Sequence, residues 1–300
     1  MTPIPFEKVH GLGNDFVLID ALADAALSAV DWAALAPAAC DRHTGIGADG
    51  VLVLLPPDRP GSHARMRIVN ADGGDGGMCG NGIRCAARHL VEAHAAALRP
   101  AGVAHPLRLT IDVGDRTYAI DVETRDGRFL GATVDMGAPA LPAGGPEPIP
   151  LHLLGRADVA ASGWADACDL REGFVRVDMP NPHAVFFVGD VTRVALERVG
   201  PVIEHHPMFP LRTNVQFVQV LSTEHLRVRT WERGAGATLA CGTGACAAVV
   251  AGSISGRCTR QATVSLPGGD LRVSWDGASG HVFMTGPAER VFAGQWRGPR

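Results

Sequence analysis

Lysine is almost missing from this chain. Lys8 is the single example in 300 residues, so 26 of the 27 basic side chains are arginine. A pyridoxal-phosphate enzyme needs a lysine for its Schiff base, and Lys8 precedes the first expected strand, outside any glycine-rich phosphate cup. A P-loop is excluded because no Gly-Lys-[Ser/Thr] occurs. Basic clusters are lacking too, and a net charge of −4 leaves no footprint for nucleic acid. No apolar stretch approaches ~18 residues, and the opening MTPIPFEKVHGLGND has no apolar leader core. The expectation is a cytoplasmic protein without a membrane partner. Seven cysteines (Cys40, Cys79, Cys85, Cys168, Cys241, Cys246 and Cys258) form an odd set without a CxxC pair. That argues against a disulfide framework and against a structural metal site, so reduced thiols and no metal are expected.

What the chain does have is one short turn written twice. Met78-Cys79-Gly80-Asn81-Gly82-Ile83-Arg84 and Ala240-Cys241-Gly242-Thr243-Gly244-Ala245 each pass from a glycine-rich stretch through cysteine and Gly-x-Gly into a helix-favouring run. Glycines there let backbone N–H groups approach an anion, and the helix N-terminus adds partial positive charge. A free thiol titrates near ~8.5, and a helix N-terminus worth up to ~2 kcal/mol brings it toward neutrality, where it can take or give a proton. A lone cysteine is more often a small buried hydrophobe. Two in the same setting favour chemistry.

Along the chain, Val17–Ile19 reads as a first strand, followed by an Ala-rich helix over 31–41 and strands over 51–55 and 64–70. Gly45-x-Gly47-x-x-Gly50 matches the dinucleotide fingerprint by letter, but a helix precedes it and a strand follows, the reverse of what that motif requires. After Cys79 comes a helix to about 97, then strands 107–113, 116–123 and 129–136. The Pro/Gly/Ala-rich stretch 137–173 reads as an interdomain connection. A second series follows: strands 174–179 and 184–188, a helix at 192–204, strands 214–221 and 225–231, the Cys241 helix and closing hairpins. Asn14 and Asn181 stand 167 residues apart, and Cys79 and Cys241 162 apart. A repeat of about 165 residues implies two pseudo-symmetric α+β domains, each an antiparallel sheet or barrel wrapped round a central helix. The expected domains are 1–135, with 286–300 returning to it, and 136–285. The two cysteine turns would face each other across a cleft. Symmetric thiol/thiolate partners fit inversion at a carbon without a cofactor: one base removes the α-proton and one acid returns it on the opposite face. Backbone N–H groups at both helix N-termini would grip the α-carboxylate.

His10-Gly11-Leu12-Gly13-Asn14-Asp15-Phe16, Asn70-Ala71-Asp72-Gly73, the Cys79 turn, Asn181-Pro182-His183 and Glu232-Arg233-Gly234 through Thr243-Gly244 together resemble the diaminopimelate epimerases. The motifs span nearly the whole chain in that family's order. The resemblance implies an isomerase that interconverts LL- and meso-2,6-diaminopimelate in lysine and peptidoglycan-precursor synthesis, with no cofactor, a small-molecule substrate and a homodimer. It implies that Cys79 takes the proton from the LL isomer and Cys241 reprotonates, with His183 and Glu232 assisting. Gly80, Asn81, Gly242 and Thr243 would hold the reacting carboxylate and Asn14 the reacting end. Asn70, Asn181, Asn214 and Arg233, with Glu232, would read the rest of the substrate. Cys85 and Cys246 read as helix packing residues.

The chain departs from that pattern at Gly50, where some members carry glutamine, at Ala237 for glutamate, at Pro180 for glycine and at Trp231 for tyrosine. Proline racemases and hydroxyproline epimerases resemble Met-Cys-Gly-His-Gly in the first turn, against Asn81 here. A histidine-type racemase differs only in its distal contacts, and a phenazine-type isomerase lacks the cysteine pair. A thiol redox or binding protein, with Cys79 and Cys241 as a switchable disulfide, is the reading from another class.

Overall fold

A strand with both faces covered reads as an unbroken apolar run, and Gly50–Leu55, GVLVLL, is buried at every position. In the computed structural model, which describes residues 2–98, 107–141 and 173–299, this strand (β3) lies inside the first of two compact units. That unit comprises residues 1–135 with 285–300, and the second comprises 136–284. Most of the 137–173 connection, and Cys168, fall outside the described residues.

The first unit contains β1 (Ile4–Gly11), β2 (Asn14–Asp20), α1 (Ala25–Ser28), α2 (Trp32–Cys40), β3, β4 (Ala64–Asn70), α3 (Gly80–Ala93), α4 (Ala95–Leu98), β5 (Leu107–Val113), β6 (Arg116–Arg125), β7 (Arg128–Asp135) and β16 (Glu289–Trp296). Its sheet runs β16-β1-β2-β3-β4-β5-β6-β7. The second unit contains β8 (Phe174–Met179), β9 (Asn181–Phe187), α5 (Leu196–Glu204), β10 (Asn214–Ser222), β11 (His225–Glu232), β12 (Gly236–Thr238), α6 (Gly242–Ile254), β13 (Gln261–Leu266), β14 (Gly269–Trp275) and most of β15 (Val282–Gly286). There the order is β14-β13-β11-β10-β9-β8, with β12 on β11.

The two sheets repeat one pattern of pairing, and it is not purely antiparallel as the sequence suggests. β2·β3 and β4·β5 are parallel in the first unit, and β9·β10 and β11·β13 are parallel in the second. A parallel neighbour needs a crossover of a dozen or more residues, usually helical. α2, α3, α5 and α6 occupy those four connections. Each cysteine turn therefore opens the helix of a crossover.

α3 packs against β1, β2, β3, β4, β6, β7 and β16, and α6 against β8, β9, β10, β11, β13 and β14. The central helix expected in each α+β domain is thus present. α6 is apolar on every side, as a wholly buried helix must be. Val249 and Val250 are fully buried within it, each contributing roughly 1.5–3 kcal/mol. The other sheet faces carry separate cores. Trp32 packs with Val17, Ile19, Val51 and Val53, its indole N–H donating to Leu27 O at 3.1 Å. In the second unit Phe174, Phe186 and Phe217 line up with centroids 5.1 and 5.3 Å apart beneath α5.

Some boundaries differ from expectation. Lys8 lies inside β1, not ahead of the first strand, because IPFEKVHG pairs on both sides without clean alternation. Its ammonium is buried, donating to Gly47 O and pairing with Asp15. The helix after Cys79 ends at Ala93 and resumes as a single turn, and the helix expected at 192–204 begins at Leu196 after a short 3₁₀ turn.

Candidate active site

In the first unit, Cys79 caps α3 in extended conformation (φ −125°, ψ 119°), and its sulfur accepts from Gly82 N–H at 3.5 Å. It is half-buried. Gly82 lies close under Ile68: a Cβ there would stand 2.6 Å from Ile68 Cδ1, and the end of that side chain would have to shift. The thiol also faces Asn14 Oδ1 at 3.5 Å, and Asn81 Nδ2 donates to that same oxygen at 3.2 Å. Asn14 is tethered by Nδ2 to Asp49 Oδ2 at 2.9 Å. Asp49 and Asp15 share Arg42, which lies 2.8 Å from each.

Beneath the turn lies Arg84, fully buried and unremarked in the sequence. Its guanidinium donates to Asn81 Oδ1 at 2.8 Å, Gly80 O at 3.0 Å and Pro287 O at 3.0 Å. An arginine buried with three acceptors is a fixed fork, and here it sets the backbone and amide that flank the thiol. Asn14, Cys79, Gly80 and Asn81 are thus brought together. Asn70 stands on the exposed end of β4, its backbone closed by Gly74 O at 2.8 Å. It pairs across the sheet with Gly50. A Cβ at Gly50 would stand 2.8 Å from Val69 O, so this backbone has closed on the glycine.

In the second unit Cys241 caps α6 with the same extended geometry (φ −118°, ψ 107°) and is 3 % exposed. Its sulfur is 3.6 Å from Thr243 Oγ1. Burial pushes this thiol well above its ordinary value, and Glu232's negative charge pushes it further, against the opposing Thr243 hydroxyl. The near-neutral thiol expected from the helix terminus is therefore corrected at Cys241: desolvation outweighs the dipole. Glu232 ends β11 and accepts from Thr238 Oγ1 at 2.6 Å, where β12 folds back on it. Gly244 is confined, since a Cβ would meet Gln216 Nε2 at 2.9 Å and Cys241 Sγ at 3.2 Å.

Gln216 leads to the remaining predicted residues. His183 Nδ1 lies 3.0 Å from Gln216 Oε1, and His183 Nε2 lies 2.9 Å from Asn181 Oδ1. Burial, aided by the charge of Arg233, outweighs the Gln216 hydrogen bond and brings His183 down to about 3, so its ring is neutral at neutral pH. Asn214 is a buried bracket: Nδ2 donates to Pro182 O at 3.0 Å, and Oδ1 accepts from Arg233 N–H at 2.9 Å. The Arg233 side chain reaches Leu211 O at 3.0 Å.

Glu204, at the end of α5, is a second residue that sequence reading passes over. Its buried carboxylate accepts from Trp231 Nε1 at 2.7 Å, Gly234 N–H at 3.0 Å and Arg212 Nη1 at 3.1 Å. It holds the segment on both sides of Glu232 and Arg233. The only hint in the sequence is a carboxylate following the apolar run Val199–Ile203.

Cys40, Cys79, Cys85, Cys241, Cys246 and Cys258 are all free thiols. Cys85 is driven to about 12 by burial, and Cys246 is fully buried, as packing residues should be.

Two cysteines thus stand at the N-caps of helices on matching crossovers, and the relatives of the chain show it to be an enzyme of the isomerase class. Solved structures sharing the fold include one described as a probable proline racemase from Agrobacterium radiobacter. It is 15 % identical, with a TM-score of 0.68, covering 97 % of this chain and 92 % of that one. A phenazine biosynthesis protein of the PhzF family from Bacillus anthracis also aligns at 15 % identity and TM-score 0.68, covering 98 % and 99 %. The chain belongs to the diaminopimelate epimerase family, whose model matches residues 6–141 and 175–291. Proteins named diaminopimelate epimerase from Moorella thermoacetica (46 % identical over 297 residues, 97 % of this chain and 98 % of that protein) and diaminopimelate epimerase 1 from a Nostoc species (45 % over 301 residues, 97 % and 99 %) are similar to it throughout.

Proposed function

We propose that this isomerase interconverts LL- and meso-2,6-diaminopimelate by two-thiol proton transfer at the α-carbon, without a cofactor. The observation that carries the reading is the duplicated cysteine cap, together with membership of the family. Cys79 is the base toward the LL isomer. Cys241 is the acid, and the burial and Glu232 charge that keep its proton on suit it to protonate a carbanion. When the reaction runs backward, Cys241 as thiolate takes the α-proton and the Cys79 thiol returns one on the opposite face, with Glu232 assisting at Cys241. Gly80, Asn81, Gly242 and Thr243 offer the donors for the reacting carboxylate, where one well-placed donor is worth about 3 kcal/mol of barrier. Asn14 sets the reacting end beside Cys79. His183 works as a neutral imidazole, its single N–H donated to one of the two amide oxygens that face it, of Gln216 and Asn181, not as a cationic acid. Asn70, Asn181, Asn214 and Arg233 belong to recognition of the distal amino acid end. The protein acts as a cytoplasmic homodimer in lysine and peptidoglycan-precursor synthesis. No helix among the described residues is long and apolar enough to cross a membrane.

The test is incubation of reduced protein with LL-diaminopimelate in D2O, following meso product and α-deuterium. Deuterium at the inverted centre, lost in Cys79→Ala and in Cys241→Ala, is expected. Exchange with a different amino acid only would keep the mechanism and replace the substrate. No exchange with any amino acid would overturn the reading.

A further inference from the structure

Away from the cysteine turn, three side chains of the first unit converge on one point. Asp20 ends β2, His89 lies on the buried side of α3 and His94 caps that helix. Asp20 Oδ2 is 3.1 Å from His89 Nε2 and 2.7 Å from His94 Nε2. One ligand atom from each residue falls within 4.8 Å of the other two. The far nitrogen of His89, Nδ1, meets Glu7 Oε2 at 3.1 Å, and Arg290 Nη1 holds the other Glu7 oxygen at 3.1 Å.

We propose that Asp20, His89 and His94 form a binding site for one divalent cation of the zinc class, distinct from the isomerase chemistry. Two imidazoles and one carboxylate form the donor set of open N/O zinc sites. Metal–ligand bonds of about 2.0–2.1 Å at a tetrahedral centre place neighbouring donors roughly 3.3 Å apart. The two oxygen–nitrogen distances, 3.1 and 2.7 Å, fall short of that edge by about 0.2 and about 0.6 Å, so Asp20 has only to draw back slightly to admit the ion. The imidazole nitrogens lie within 4.8 Å of each other, and His94 stands at the break between α3 and α4 with its side chain 29 % exposed. His89 is only 7 % exposed and is oriented by Glu7 through its other nitrogen, the carboxylate–histidine arrangement that aims a metal ligand. Asp20 keeps 30 % of its side chain exposed, so water can complete the shell. The ligands join β2 to the far end of the helix that begins at Cys79, and a bound cation would clamp that helix to its sheet.

The same atoms also satisfy one another as a hydrogen-bonded network, so the experiment must separate the two. Full-length protein carrying Cys79→Ala and Cys241→Ala, which removes the competing turn thiols, is titrated with Co2+. One equivalent should bind with weak visible d–d absorption and no thiolate charge-transfer band. Zn2+ should displace it, raise the thermal midpoint and shift the His89 and His94 imidazole NMR signals. His94→Gln and Asp20→Asn should each weaken binding at least ~10-fold. No binding of either metal at millimolar concentration, or imidazole signals unmoved by Zn2+, would overturn the site. So would binding that folded His94→Gln or Asp20→Asn protein retains within that factor.

Discussion

Glu204→Gln isolates the carboxylate that holds the Glu232–Arg233 segment. In the parent, one oxygen serves Gly234 N–H and Arg212, and the other serves Trp231 Nε1. The amide keeps an acceptor for the first pair but turns an N–H donor toward the indole N–H. One hydrogen bond is lost and a buried donor is left facing a donor, which costs about 1–3 kcal/mol. The Arg212 contribution is small, because that side chain is 49 % exposed. A loss of about 2 kcal/mol lowers the melting midpoint by about 4–8 °C for a unit of this size. Displacing the segment by about 1 Å also lowers turnover, by up to ~100-fold. The assay is a double-mutant cycle with Trp231→Phe, read by melting and by kcat. Trp231→Phe alone leaves the carboxylate oxygen without its donor, whereas in the double variant the amide meets no opposing N–H. The two changes should therefore couple by about 1 kcal/mol or more. Additive effects, or a Glu204→Gln protein indistinguishable from the parent in both readouts, would refute the bracket.

Pro180 sits at φ +23°, far from the roughly −65° that its ring prefers. Pro180→Gly should raise stability by about 1 kcal/mol, since relief of strain exceeds the added chain entropy; a lower melting midpoint would contradict this. At Asp15, burial raises the carboxyl, but Arg42, Lys8 and Asp49 outweigh it and bring the group from 3.8 to about 2. A depressed carboxyl stabilises the fold above its unfolded value and loses that contribution as pH falls. The stability gap between parent and Asp15→Asn should therefore shrink by about 2 kcal/mol between pH ~4 and ~2, and a constant gap in urea titrations would reject the assignment. Gly244→Ala should fold but lose at least ~10-fold in kcat, because its methyl group presses on Cys241 Sγ and Gln216; parental kcat would show that the turn has room.

The two cysteine turns were legible because glycine spacing and helix-forming runs are local signals. Strands such as Leu107–Val113 and Phe174–Met179 were legible to the residue, since alternation and flanking turns mark them. The sense of strand pairing was not, because periodicity reports which face is buried and says nothing of which neighbour lies alongside. The helix in each connection, 9 to 14 residues long, held that information. Arg84, Gln216 and Glu204 escaped for a related reason: polar side chains inside a helix or strand read as solvent-facing until tertiary contacts enclose them. The thiol expectation failed at Cys241 because local sequence supplies the dipole, whereas the depth of burial and the approach of Glu232 come from the fold.

The lone lysine gives the protein a built-in reporter. Lys8 is buried in β1, its amine engaged by Gly47 O and Asp15, so an acylating reagent can reach it only when that strand opens. With no second ε-amine to obscure the signal, the acylation rate at Lys8 reads the opening free energy of the first unit directly. Mass-spectrometric labelling in cell extract can follow it without introducing any probe.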